Sequence, residues 1–199
     1  MNLFSLTNKP ESIVHYEHSK VIEMNMALLS PKNAYNYALH VLKDRFELGE
    51  PIITTDLKYS YIYALDVIKG RFELGEDIIS RNAEYSYYYA KNVLKSRFKA
   101  GEPIIATDAE FSYLYALDII KGRFEAGERV IFNSSFYCYY YAINVLDGRF
   151  KLGEPAIAND AYYSFNYARH VLKCRFELGE PAILSSIFKD KYESIFFNK

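Results

Sequence analysis

The hexapeptide Arg-Phe-x-x-Gly-Glu occurs six times, at 45–50, 71–76, 97–102, 123–128, 149–154 and 175–180, always 26 residues apart and without insertion or deletion. A fixed period of this length marks a tandem structural repeat, in which each unit buries its apolar face only against its neighbours. The same spacing aligns Tyr37, Tyr63, Tyr89, Tyr115, Tyr141 and Tyr167, each followed by Ala. It also aligns the β-branched residues Val41, Val67, Val93, Ile119, Val145 and Val171. The six copies therefore serve as an internal comparison, and what does not vary among them is observable.

Each unit reads as a long helix, a tight turn and a short helix. Ser60, Tyr63, Ala64, Val67, Ile68, Arg71 and Phe72 fall on one face at helical spacing, which no strand pattern reproduces. Ser30, Asp56, Asn82, Asp108, Ser134, Asp160 and Ser186 occupy one repeat position. Each has a side-chain oxygen able to accept from an unpaired N–H of a helix's first turn, so all seven are predicted N-caps. Gly49, Gly75, Gly101, Gly127, Gly153 and Gly179 are predicted left-handed helix stops. Pro51, Pro103, Pro155 and Pro181 then open a short helix.

The expected architecture is an all-α solenoid of six 26-residue repeats over 30–184. An N-terminal helical cap occupies 1–29, with a degenerate short helix in SKVIEMNMALLS and one helix before it. A capping helix at 185–199 begins at Ser186, lacks the Tyr-Ala core and stops early.

The stretch YALDVIKGRFELGE and its copies resemble the short YAxxVLxGRFxxGE repeats of uncharacterised proteins of large-genome bacteriophages. The resemblance covers about 30–184. It implies an α-solenoid and a viral protein acting inside a bacterial cell. It brings no established active site, so no functional residue is carried over.

Composition narrows the function classes. Half of the 199 residues are apolar, enough for a continuous core. A formal net charge of −1 argues against a polyanion binder and against a nucleic-acid mimic. Cys138 and Cys174 stand at different repeat positions, which fits free thiols in a reducing compartment. No run approaches the 18 apolar residues of a membrane span, and the N-terminal stretch lacks the pattern of a secretory signal, so a cytoplasmic protein is expected.

Little in the chain resembles catalytic machinery. No Ser, Cys or carboxylate falls in a nucleophile or phosphate-loop motif. His15 and His18 could share a helical face, but two ligands without a third do not make a metal site. No cofactor and no enzymatic activity are expected.

The most invariant polar residues are Arg45, Arg71, Arg97, Arg123, Arg149 and Arg175, with Glu50, Glu76, Glu102, Glu128, Glu154 and Glu180. A row of arginines could grip phosphates or carboxylates. The structural reading places each Arg on the buried arc of its helix and pairs it with the Glu, as an internal ladder. The Tyr63-type residues are similarly either a stacking platform for bases or packing, with the hydroxyl bonded to backbone or water.

Partner binding is expected where the repeats vary. On a helical wheel the side opposite Ala64 carries Tyr59, Tyr85, Phe111 and Tyr137, then Ile62, Tyr88, Leu114 and Tyr140, then Asp66, Asn92, Asp118 and Asn144. Aromatic side chains beside short polar groups suit a protein interface. The competing reading of the Tyr59 series is packing between repeats. Repeats two and four match at Asp66 and Asp118, and repeats three and five at Asn92 and Asn144, which suggests a 52-residue duplicated unit. The sequence thus points to a non-catalytic solenoid that binds a protein, with a homo-oligomer or a nucleic-acid binder as alternatives.

Overall fold

The computed structural model describes residues 11–197, with side chains from residue 18 onward. The expectations for residues 1–10, and for the His15 side chain, lie outside the described residues. Among the described residues the chain is all-helical, in the repeated helix–turn–helix pattern of the α-solenoid class. It divides into two compact units, Met1–Ile78 and Ile79–Lys199.

In the first unit a single helix, Glu11–Ala27, replaces the two pieces expected before residue 30. Ser30 caps Pro31–Asn36, which continues as a π-helical segment, Tyr37–Leu42. A 3₁₀ turn, Glu47–Gly49, leads into the short helix Glu50–Ile53. The second repeat follows with Leu57–Ile62, π-helical Tyr63–Ile68 and the helix Glu73–Ile79. Its core holds Ala34, Ala38, Phe46, Ile53, Tyr63, Ala64 and Phe72.

The second unit repeats this order. Its long helices begin at Ala83–Tyr88, Ala109–Tyr115, Ser135–Asn144 and Ala161–Asn166. Its short helices are Glu102–Ile105, Glu125–Ile131, Glu154–Ala158 and Glu180–Leu184, and Lys189–Phe196 closes the unit. Six of the seven predicted N-caps accept the expected backbone bond, from Asn33, Tyr59, Tyr85, Phe111, Tyr137 and Tyr163. Ser186 does not cap the last helix. Its hydroxyl accepts from the Phe188 N–H in a tight turn, and the helix starts after Phe188 without a side-chain cap.

Helix termination differs from the sequence reading. The left-handed residue is Lys43, Lys69, Lys95, Lys121, Asp147 or Lys173, with φ between 46° and 56°, and no glycine has positive φ. The long helix therefore stops four residues earlier than the predicted face required. Arg71 and Phe72 leave the helix altogether. The N–H groups of Lys43 and Asp44 both close on the Ala38 carbonyl, a wide turn that ends in the left-handed residue. A lysine there is held against its steric preference by roughly 1–2 kcal/mol. Lys95→Gly should accordingly raise stability by about 0.5–1 kcal/mol, the strain relieved less the extra unfolded-chain entropy of glycine. A lower urea midpoint for this variant would show that the lysine is held by something else.

The glycines serve packing. A Cβ on Gly101 would lie 2.6 Å from the Phe98 ring and 2.7 Å from Ser86 Cβ; on Gly49 it would lie 2.2 Å from the Phe46 ring. The turn thus presses its backbone against the small residue of its own long helix. That residue also ties repeats together. Ser60 Oγ donates to the Ile53 carbonyl at 3.1 Å, and Ser86, Ser112 and Ser164 donate to Ile79, Ile105 and Ile157 at 2.8–2.9 Å. Cys138 takes the same place, 3.2 Å from the Ile131 carbonyl. Each buried hydroxyl satisfies a carbonyl at the end of the preceding short helix, which is why a polar residue is retained in the core.

Candidate functional site

The invariant residues form an internal bridge. Arg45 donates from Nε and Nη2 to Glu50 at 2.5 and 3.0 Å, and Arg97, Arg123, Arg149 and Arg175 make the same two-point contact with the Glu five residues on. Arg71 pairs with Glu76. The carboxylates are the sheltered partners, whereas the arginine side chains are about half exposed, with Arg45 at 48% against Glu50 at 3%. The sequence expectation of buried arginines is corrected here, because the helix ends before them.

A tyrosine from the next repeat completes the bridges at Glu50, Glu102, Glu128 and Glu154. Tyr63 accepts from the Phe46 N–H at 2.7 Å and donates to Glu50 at 3.2 Å. In the second unit Tyr115, Tyr141 and Tyr167 do the same, each on the Phe and Glu of the repeat before. Their rings are fully buried against the Phe of their own repeat. Burial, reinforced by the nearby carboxylate, pushes the Tyr63 and Tyr141 hydroxyls up to about 12. The hydrogen bonds from Arg97, with that from Tyr115, hold the Glu102 carboxyl below its usual range despite partial burial. The tyrosine rings are enclosed and the carboxylates sheltered, so both are engaged within the fold, while the guanidinium groups stay about half exposed.

The last helix joins this scheme although, as expected, it lacks the Tyr-Ala pair of the repeats. Tyr192 accepts from the Phe176 N–H at 2.8 Å and donates to Glu180 at 3.0 Å. Its spacing to those partners is 16 and 12 residues, instead of 17 and 13.

Two of the three series expected on the partner face are engaged between repeats, although Asn92 and Asn144 remain exposed. Tyr59, Phe111 and Tyr137 pack their rings on Tyr35, Tyr87 and Tyr113 of the preceding repeat, with centroids 5.8–6.0 Å apart. Tyr85 is likewise only partly exposed. Tyr35 donates to Asp66 at 2.8 Å, Tyr87 donates to Asp118, and Asn144 donates to Tyr113 at 2.9 Å. Lys91 also reaches Asp118 at 2.8 Å. Burial works against Asp118 ionising, but the bonds from Lys91 and Tyr87 outweigh it and lower its carboxyl. Asn92 is exposed and engaged in an interaction of its own. Of the Ile62 series, Tyr88 is exposed and Ile62, Leu114 and Tyr140 are half-buried. The Tyr59 series lies in regular α-helix and is covered by the preceding repeat, whereas past Tyr63 the wider turn also moves Asp66 and Asp118 off the ideal wheel.

A free aromatic surface lies in the second unit. Phe136 and Tyr162 are 42% and 50% exposed. Phe136 meets Tyr140 at 4.6 Å and Tyr163 at 6.1 Å; Tyr162 meets Tyr163 at 5.2 Å and Phe188 at 6.0 Å. Phe188 stacks on Phe165, and Phe132 and Ile187 are exposed nearby in sequence. The sequence carried a signal for this patch that the wheel did not use. The repeat position of Phe136, Tyr162 and Phe188 holds Lys32, Lys58, Glu84 and Glu110 in the earlier copies, all exposed. A solvated charge has become an aromatic ring in three successive copies.

Among the described residues no three His, Cys, Asp or Glu side chains gather as a metal would require, and no helix is long and apolar enough to cross a membrane. Burial pushes the Cys138 thiol up to about 12, so it is held as an unreactive thiol. Comparisons of the chain with protein-family models, with curated proteins and with solved structures find no match.

Proposed function

We propose that this chain is a non-catalytic helical-repeat protein that binds another protein through the aromatic surface of Phe136, Tyr140, Tyr162, Tyr163 and Phe188. One observation carries the reading: charge gives way to rings at the same repeat position in three consecutive copies, with Phe136 and Tyr162 exposed and Phe188 half-buried. Large aromatics in a connected cluster supply contact area at low entropy cost, and they are the residues that dominate binding energy at protein interfaces. The resemblance to bacteriophage repeats supports a host protein, including one of a defence complex, or a phage protein as the partner in a bacterial cytoplasm.

The repeats provide their own test substitutions. Phe136→Lys with Tyr162→Glu restores residues that the fold already accommodates at Lys32, Lys58, Glu84 and Glu110. The melting temperature should move by only a few degrees, as for a surface change of about 1 kcal/mol in a chain of this size. Partners captured from expressing bacteria should be lost, and calorimetry on a captured protein should show roughly 30-fold weaker binding or worse. A double variant that retains every partner at unchanged affinity removes this surface from the function.

A further inference from the structure

The junction of the third and fourth repeats differs from the others in charge. The repeat position of Lys91 holds Leu39, Leu65, Leu117 and Ile143 in four other copies, and Arg169 in the last. Lys91 lies in the π-helical segment Tyr89–Leu94, and its ammonium crosses to the next repeat. It donates to Asp118 at 2.8 Å and to the Tyr87 hydroxyl at 2.8 Å, while Tyr87 donates to the same carboxylate. Asp118, on the segment Ala116–Ile120, is therefore already engaged within the fold.

Two further lysines stand beside this pair. Lys95 and Lys121 are the left-handed residues that end the two segments. With Lys91, Asp118 and Ile119 they line a cavity of about 440 Å³. Both are exposed, and among the described residues neither forms an ion pair or a side-chain hydrogen bond. Four residues beyond Lys95 stands Lys99, where the neighbouring repeats have Glu73 and Glu125. Three ammonium groups thus surround one carboxylate, which Lys91 already occupies. A net charge of −1 for the whole chain conceals this local excess, because the charges segregate by repeat. At the next junction Leu117, Asn144 and Asp147 hold the places of Lys91, Asp118 and Lys121, so no such cluster recurs there.

We propose that this cavity binds the phosphate group of a small molecule. Two positive charges are left uncompensated, and a phosphate monoester carries about two negative charges at neutral pH. Lysine meets a tetrahedral phosphate as a point charge with rotatable donors, whereas a planar carboxylate is better matched by a guanidinium fork. Tyr87 and Asp118 hold the Lys91 ammonium in place before any ligand arrives, which lowers the ordering cost of binding. Half-buried Ile119 offers the rest of the molecule an apolar wall. The site uses other residues and other chemistry than the aromatic surface, and does not rest on it.

Calorimetric titration of the purified full chain with pyrophosphate at low ionic strength tests it. The wild type should take up one equivalent with a Kd below about 1 mM. The repeats again supply exchanges that the fold accommodates. Lys91→Leu follows Leu39, Leu65 and Leu117, and Lys121→Asp follows Asp147. Each should weaken binding by roughly 10-fold or more, the loss of a charge-assisted contact. Lys95→Gly, expected to gain stability, should lose affinity to a similar degree, so a general loss of structure cannot account for the effect. Lys173→Asp makes the same exchange at the same repeat position outside the cavity lining, and should keep the affinity within about twofold. A wild type that binds no pyrophosphate at millimolar concentration overturns the proposal. Equal weakening by Lys173→Asp and Lys121→Asp overturns it too, because diffuse attraction to scattered lysines would then be responsible.

Discussion

Tyr115→Ala should cost the protein about 3–5 kcal/mol, the range for emptying a buried aromatic site. The ring has no exposed surface and sits 5.4 Å from Phe124. Its hydroxyl is the common partner of the Phe98 N–H and Glu102. Tyr115→Phe keeps the ring and strands the Phe98 N–H, while Glu102 keeps its bonds from Arg97, so it should cost about 1–2 kcal/mol, the penalty of leaving a buried donor unpaired. Arg97→Ala should cost less than either, because the guanidinium is half exposed and water can replace it. Urea unfolding of the three variants reads this order directly. If Arg97→Ala proves the most damaging, the arginine and not the tyrosine is the keystone of the bridge.

The second large effect separates Gly101, inside the Arg-Phe-x-x-Gly-Glu turn, from Gly122, which precedes the arginine of the next one. Gly101→Ala should destabilise by about 1–3 kcal/mol, the usual cost of overpacking. Its Cβ would meet Ser86 Cβ at 2.7 Å, and an atom so close to the backbone cannot swing aside. Gly122→Ala has open space around it and no positive φ. It should be neutral or stabilising by up to about 1 kcal/mol, because alanine restricts the unfolded chain. Equal melting temperatures for the two variants would mean that the turn does not press on the long helix as the geometry requires.

Periodicity alone determined a large part of this protein. The 26-residue recurrence dictated stacked helical hairpins, since one hairpin has no other means of covering its apolar face. The oxygen-bearing residues Ser30, Asp56, Asn82, Asp108, Ser134 and Asp160 located helix starts, because capping depends on a side chain and the three residues after it. The Arg–Glu spacing of five suggested a pair for the same local reason.

What lay beyond one repeat was decided by tertiary structure. The wide turn at Ala38 and its copies moved the helix end from the glycine to a lysine, and no local preference of lysine for positive φ announces that. It also carried Asp66 and Asp118 to tyrosines of the preceding repeat, a contact that Asn144 makes from a regular α-helix, so residues that resembled recognition groups became links between repeats. Tyr192 escaped detection because it stands one residue out of register, and only the packed helix shows that it reaches Glu180. The free aromatic surface was written in the chain as a change from charge to ring. Recognising it required knowing which positions the stacking leaves in water, and that depends on contacts between residues distant in sequence.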